Sequence, residues 1–325
     1  MTQPVVLVTG SSVPDETQKL LRDTGLELVF MGSSIDERSV LSEVSRRTVP
    51  AVLLRGPAAF TPRVFAAAKD LKIISKYGAG IDSVDLESAT AHGVAVMITS
   101  GSNAGAVAEH SLALMLALTR ELPRFDRQTR AGAWKDQGYL VRDFSDRIVG
   151  IVGYGHIGLR TAALASACGA RVVIHSRTRA EPPQGMEWEE NLERLLARVD
   201  ILSLHCPLTD KTRGMIGEKQ LALMKPGALL VNTARGRLID EAALAAALKS
   251  GRLAGAALDV FEKEPPDPGN PLFALPNVLC TPHIGSSTTR AAAQMGVIAA
   301  NNIISYLRGE IYDPRNFINP AVFKG

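Results

Sequence analysis

The feature that most constrains the fold is the hexad Gly153-Tyr154-Gly155-His156-Ile157-Gly158, which sits between an apolar run and a helical pattern. Residues 148–152 read as a strand leading into it, and residues 156–168 as a helix leading out. In that setting the first glycine permits a tight turn, the second lets backbone approach a ligand, and the third lets the helix lie close on the strand. The rest of the chain repeats the same alternation. Residues 5–8, 51–54, 72–75 and 94–98 read as strands, with helical patterns at 15–24 and 61–70. After Arg147, strands are expected at 148–152, 171–175, 200–204, 228–231, 254–258 and 278–280. Helices are expected there at 156–168, 188–198 and 240–249, and a long final one at 288–307. Such alternation builds βαβ units and parallel sheets covered on both faces.

Two stretches interrupt this rhythm. Residues 103–119 predict a long helix that is apolar nearly all round, the pattern of a buried helix. Residues 120–147 are charged and carry Trp134 and Tyr139. They are too polar for core and too long for a plain connection, so they read as an arm or subunit contact.

Composition excludes several classes. A length of 325 residues suggests about two domains. A net charge of +3 without a basic run argues against nucleic acid as partner. No apolar stretch approaches the ~18 residues of a membrane span, and no signal peptide is visible at the start. The three cysteines, Cys168, Cys206 and Cys280, have no metal or redox spacing. No metal site is expected, and free thiols point to a reducing, cytoplasmic setting.

The glycine turn opens a helix whose first amides and dipole suit a pyrophosphate, so Gly153, Gly155, His156, Ile157 and Gly158 are candidate contacts to a dinucleotide. About twenty residues on, an acid would take the ribose hydroxyls of NAD. Here the chain reads His175-Ser176-Arg177-Thr178-Arg179, with no acid. Ser176 and Thr178 can hydrogen-bond a 2′-phosphate and Arg177 can pair with it. NADP(H) is therefore the expected cofactor, with NAD as the alternative.

Three later segments each follow a predicted strand. They are Val231-Asn232-Thr233-Ala234-Arg235-Gly236, Leu258-Asp259-Val260-Phe261-Glu262-Lys263-Glu264-Pro265 and Thr281-Pro282-His283-Ile284-Gly285-Ser286. Hydride transfer to a 2-keto acid needs a cation for the carboxylate, a proton donor for the new hydroxyl, and a group that keeps the donor charged. Arg235, His283 and Glu264 are residue types able to fill these roles, beyond strand carboxyl ends where open α/β sheets bind ligands.

In this order, the glycine hexad, the N-T-A-R-G segment, the L-D-V…E-P segment and the T-P-H segment resemble the D-isomer-specific 2-hydroxyacid dehydrogenase family over nearly the whole chain. The resemblance implies two doubly wound parallel-sheet domains. A central Rossmann cofactor domain (100–287) would be inserted in a flavodoxin-like substrate domain (1–99 and 288–325), with the active site in the cleft. It implies that Arg235 binds the substrate carboxylate and polarises its keto oxygen, that His283 is the general acid/base and that Glu264 charges it. Asp259 matches an acid near the nicotinamide, and Asn103 with Val107-Ala108-Glu109 matches the helix between the domains. Cys206, Pro207, Thr233, Ala234 and Gly285 join the candidate cofactor contacts.

Tyr77-Gly78-Ala79-Gly80-Ile81-Asp82 resembles the family's substrate loop, with the amides of Ala79 and Gly80 on the carboxylate. Lys76 and Arg55 would add positive charge. Arg55 resembles an arginine of phosphoglycerate-specific members, but the neighbouring basic position is Pro57 here, which speaks against a phosphorylated substrate. The implied function is an oxidoreductase acting on the CH-OH group of a small D-2-hydroxy acid, of the glyoxylate/hydroxypyruvate reductase kind, with a homodimer formed through the cofactor domains. The alternatives are an NAD-dependent D-3-phosphoglycerate dehydrogenase, NAD-linked oxidation of formate or phosphite, and a dinucleotide-sensing module resembling corepressors. The last would retain cofactor binding without turnover.

Overall fold

The computed structural model describes residues 4–32, 35–56, 58–135, 137–178 and 181–323. It divides into two compact units, Met1–Asn103 with Thr288–Gly325, and Ala104–Ser287. The division after Asn103 falls four residues beyond the expected one, at the first residue of the helix Ala104–Thr119. Among the described residues no helix is long and apolar enough to cross a membrane.

The first unit holds strands β1 (Val5–Val8), β2 (Glu27–Phe30), β3 (Ala51–Leu54), β4 (Ile73–Lys76) and β5 (Ala95–Met97). Between them lie helices α1 (Asp15–Arg22), α2 (Glu37–Arg46), α3 (Pro62–Ala67) and α4 (Leu86–Ala91). The sheet is parallel, in the order β2-β1-β3-β4-β5. Its central strands are continuous apolar runs because both faces are covered. Leu7, Val52, Leu54 and Ile74 pack to one side with Phe60 and Phe65, and Val6, Val8, Leu53 and Ile73 to the other. Three of these four helix starts, those of α2, α3 and α4, carry side-chain caps. Asp36 and Ser39 form a reciprocal capping box on α2, and Thr61 and Asp85 cap α3 and α4.

The second unit opens with α5 (Ala104–Thr119) and α6 (Leu122–Arg130). Then come β6 (Ile148–Val152), α7 (His156–Ala167), β7 (Arg171–His175), β8 (Glu187–Trp188), α8 (Leu192–Arg198) and β9 (Ile201–Leu204). It closes with α9 (Glu218–Leu223), β10 (Ala228–Asn232), α10 (Glu241–Lys249), β11 (Leu253–Leu258) and β12 (Val278–Cys280). The last helix, α11 (Thr289–Leu307), returns to the first unit and lays Ala299, Ala300 and Ile303 on the β1 sheet.

The seven-stranded parallel sheet runs β12-β11-β10-β9-β6-β7-β8. From β6 the chain winds outward through β7 and β8, then crosses back to β9 and winds the other way. The crevice at such a switch, beyond the strand carboxyl ends, is where doubly wound sheets take ligands, and the glycine hexad follows β6 into it. Helix α5 packs Leu114, Met115 and Leu118 against Val149, Ile151 and Val231 of this sheet.

One sequence expectation is corrected, and two elements appear that the sequence reading did not assign. Trp188 does not start a helix: it pairs in the edge strand β8 with Ile174, and the helix starts after the Asn191 cap. The charged arm contains a helix, α6, with no buried residue. Strand β2 carries a half-exposed pattern that its short length hides in the sequence.

Candidate active site

The three glycines of the hexad differ in what surrounds them. Gly153 has φ +98°, and a Cβ there would lie 2.6 Å from Cys206 N. A Cβ on Gly158 would lie 2.0 Å from Gly153 O, so helix and turn can close only on glycine. Gly155, at the N-cap of α7, is exposed and would meet nothing within 4 Å. The missing side chain there leaves an open cradle above the first-turn amides of α7 around His156 and Ile157, which have no intrahelical acceptor. This arrangement fits a dinucleotide pyrophosphate.

Of the neighbouring candidates, Cys206 turns its thiol away, onto Met215 Sδ at 3.7 Å, and burial pushes that thiol up to about 11. Its contribution to a ligand site is its backbone. Pro207 accepts the Thr212 hydroxyl on its carbonyl at 2.7 Å. His175 ends β7 and its Nδ1 donates to the Glu189 carbonyl at 2.9 Å, which fixes where the next loop starts. Beyond it Ser176 is half-buried, and Arg177 and Thr178 are exposed. Arg179 lies outside the described residues.

Arg235, Glu264 and His283 come together in the second unit beyond β10, β11 and β12. Buried Asn232 ends β10 and clamps the arginine loop from both sides: its Nδ2 donates to Arg235 O at 2.8 Å and its Oδ1 accepts from Ala234 N at 3.0 Å. Gly236 follows because a Cβ would lie 1.9 Å from the Phe261 carbonyl carbon, where the glutamate loop passes. Arg235 Nη1 donates to Ala234 O at 2.7 Å.

His283 Nδ1 lies 2.7 Å from Glu264 Oε2, and Phe261 N donates to Glu264 Oε1 at 3.2 Å. Burial alone would raise the Glu264 carboxyl. The hydrogen bond and charge of His283, the Phe261 amide and the Arg235 charge together hold it below the ordinary glutamate range. With Nδ1–H directed at the carboxylate, His283 keeps Nε2 for a reacting oxygen. His283 itself has φ +54°, a left-handed conformation that costs free energy outside glycine and that clusters at functional sites.

That conformation is held by Asp259, whose side chain is 1% exposed. Its Oδ1 accepts from Thr281 Oγ1 at 2.6 Å and Ile284 N at 2.9 Å, and its Oδ2 from Gly285 N at 2.8 Å. The carboxylate expected near the nicotinamide is thus a buried clamp on the histidine loop. Gly285 is part of the same contact. Thr233 is buried, its hydroxyl 2.8 Å from Ser111 Oγ. Sequence reading missed Asn232, His110, Ser111 and Thr281 as members of the site. Only the N-T-A-R-G and T-P-H segments carried a signal for Asn232 and Thr281.

The remaining candidates belong to the first unit, at the carboxyl ends of β3 and β4. Arg55 donates to the Ser12 carbonyl and lies 4.9 Å over the Tyr77 ring, whose hydroxyl donates to Ala292 O at 2.6 Å. Lys76 is buried and its ammonium donates to Gly56 O at 2.7 Å. Gly78 has φ +123° and its amide donates to Thr99 Oγ1 at 2.9 Å, which leaves Ala79 exposed and Gly80 half-buried at the loop tip. Pro57 lies outside the described residues.

A doubly wound sheet, a glycine cradle at its switch point and an Arg-Glu-His set beyond its strand ends define a class, the dinucleotide-dependent dehydrogenases. Within that class the chain belongs to the D-isomer-specific 2-hydroxyacid dehydrogenase family, whose NAD binding domain matches residues 112–285. It is 37% identical to a glyoxylate reductase of Pyrococcus furiosus, over 99% of this chain and 97% of that one. It is 36% identical to a D-3-phosphoglycerate dehydrogenase of Archaeoglobus fulgidus over 96% of its length, but spans only 59% of that relative. The crystal structure of a glyoxylate reductase from Paecilomyes thermophila superposes with a TM-score of 0.86 at 30% identity, covering 98% of this chain and 99% of that one.

Proposed function

We propose that this chain reduces a small, unphosphorylated 2-keto acid of the glyoxylate or hydroxypyruvate kind to the D-2-hydroxy acid, with NADPH preferred and NADH as the lesser cofactor. The observation that carries the reading is the 2.7 Å contact of His283 Nδ1 with Glu264, on loops adjoining that of Arg235. The bound reduced nicotinamide supplies the hydride. Arg235 takes the substrate carboxylate and draws charge towards the keto oxygen. Protonated His283 gives its Nε2 proton to that oxygen as it becomes an alkoxide. Glu264 holds the imidazolium, since an adjacent opposite charge favours the charged form. The preference for an unphosphorylated acid is supported by Arg55, whose guanidinium is engaged by Ser12 and Tyr77.

Preference for NADPH is supported by exposed Arg177 and Thr178, with Ser176 and no acid beside them. A homodimer through the second unit is supported by the arm, where Leu122, Trp134 and Leu140 are 56%, 81% and 89% exposed. Scattered single apolar residues need no partner; three on one arm offer apolar surface that a second copy could cover. The three free thiols fit a reducing compartment such as the cytoplasm.

The test follows oxidation of NADPH and NADH with glyoxylate, hydroxypyruvate, pyruvate and phosphohydroxypyruvate. Fast NADPH turnover with an unphosphorylated acid is expected. Preference for NADH with phosphohydroxypyruvate would replace this reading with the phosphoglycerate dehydrogenase one, and saturable cofactor binding without turnover would leave a sensing module.

A further inference from the structure

Helix α5 reaches both catalytic loops through two consecutive residues. Ser111 Oγ is buried, donates to Val107 O at 2.8 Å, and lies 2.8 Å from Thr233 Oγ1, two residues before Arg235. A serine has one hydroxyl proton, and here the helix takes it, so Thr233 is the donor between the two. His110 Nε2 lies 3.1 Å from Thr281 Oγ1, two residues before His283. Thr281 gives its own proton to Asp259 Oδ1 at 2.6 Å. It therefore meets His110 as an acceptor, and the proton between them belongs to His110 Nε2. The same nitrogen is 3.5 Å from Asp259 Oδ1. The ring edge closes on Gly285, where a Cβ would lie 3.5 Å from His110 Cδ2 and 3.0 Å from Asp259 Oδ2.

We propose that His110 and Ser111 are positioning residues that hold the histidine loop and the arginine loop at a fixed spacing from one helix, so that His283 and Arg235 address the same carbonyl. The inference rests on the reductase reading above. It needs no change of charge at His110, which faces the Asp259 carboxylate and the Thr281 hydroxyl. His283 faces Glu264, and the charge of Arg235 acts on that glutamate. What it requires is a donor at Nε2, because without one the Thr281 oxygen keeps its bond to Asp259 but loses its own donor, and the buried clamp on Ile284 and Gly285 slackens. Small misplacements of a catalytic group cost rate out of proportion to the movement.

The test compares His110→Phe, which keeps a ring and removes the donor, with His110→Gln, which restores a donor at similar reach. Two readouts are taken, amide exchange of residues 281–285 in the protein without cofactor, and kcat, KM and the pH profile of glyoxylate reduction with NADPH. The Phe variant is expected to lose protection in that segment. It should also lower kcat roughly ten- to a hundredfold with KM nearly unchanged, and move the alkaline limb of the profile. The Gln variant should recover protection and most of kcat. Wild-type exchange in the Phe variant, or a rate loss that Gln does not restore, overturns the proposal. Should the wild-type chain turn over none of the four keto acids with either cofactor, the reductase reading falls. Exchange alone then decides the strut: protection lost in Phe and regained in Gln upholds it, and unchanged protection overturns it.

Discussion

Beyond β10, β11 and β12 the loops are tied to one another by buried groups: Asn232 holds the arginine loop, Asp259 the histidine loop, and Gly236 lets the first touch the Phe261 carbonyl. Beyond β7 His175 holds the exit, its Nδ1 donating to Glu189 O and its carbonyl accepting from Gly153 N, and Arg177 and Thr178 are exposed. The first arrangement suits groups that must meet a reacting atom within tenths of an ångström. The second suits a recognition task, where a charge near a ligand phosphate is enough. A substitution in the first region should therefore alter rate or folding, and one in the second should alter which cofactor is used.

The largest expected effect is at His283. Replacing it with Ala should lower kcat for keto acid reduction by roughly 10²- to 10⁴-fold while Tm changes little, since the side chain is 48% exposed. Steady-state kinetics and a melting curve check both halves, and loss of both together would make His283 structural.

The glycine turn gives the sharpest contrast within one motif. Gly158→Ala would drive a methyl onto Gly153 O and should destabilise by about 1–3 kcal/mol or more in urea denaturation. Gly155→Ala has room, so its urea midpoint should be unchanged while dinucleotide affinity, followed by fluorescence titration, falls. Equal stability loss in both would mean that the cradle at Gly155 is not open.

Glu264→Gln removes the charge that supports protonated His283, so the alkaline fall-off of the reductive rate should move to lower pH. An unchanged profile would take Glu264 out of this role. The acid side carries a second signature. A carboxyl held below its unfolded value stabilises the fold fully above the ordinary glutamate range, and that stabilisation is lost as pH falls through the folded value. The Gln variant should lack this part of the slope.

The smallest effect on the protein, and the most selective, is at Arg177. Arg177→Ala should cut the ratio of NADPH to NADH efficiency by about tenfold, with stability changed by less than about 0.5 kcal/mol. A ratio that does not move would place the phosphate preference elsewhere.

What was legible in the sequence follows the same division. Gly153, Gly155 and Gly158 act through backbone, so their spacing carried the turn directly. Arg235, Glu264 and His283 each follow a strand end, which placed them on one rim. The part played by His110 was hidden because its partner Thr281 is 171 positions away, and a lone histidine on an apolar helix reads as core. The motif matched Asp259 to an acid near the nicotinamide but could not show its bonds to Thr281, Ile284 and Gly285, because a motif shows the residue and not where its oxygens point. Trp188 was misjudged because an edge strand of two residues is too short to show an alternation in the sequence.

Helix α11 is the last long element in the chain, yet it covers the sheet that holds the first strand. During synthesis the face of Val6, Val8, Leu53 and Ile73 has Val13 and Leu21 of the early chain beside it but stays incompletely covered until α11 emerges, after β6 to β12. The inserted unit is contiguous and can close while translation continues, so the order of maturation reverses the usual order from the amino terminus. The nascent first unit is then the species that a chaperone would meet.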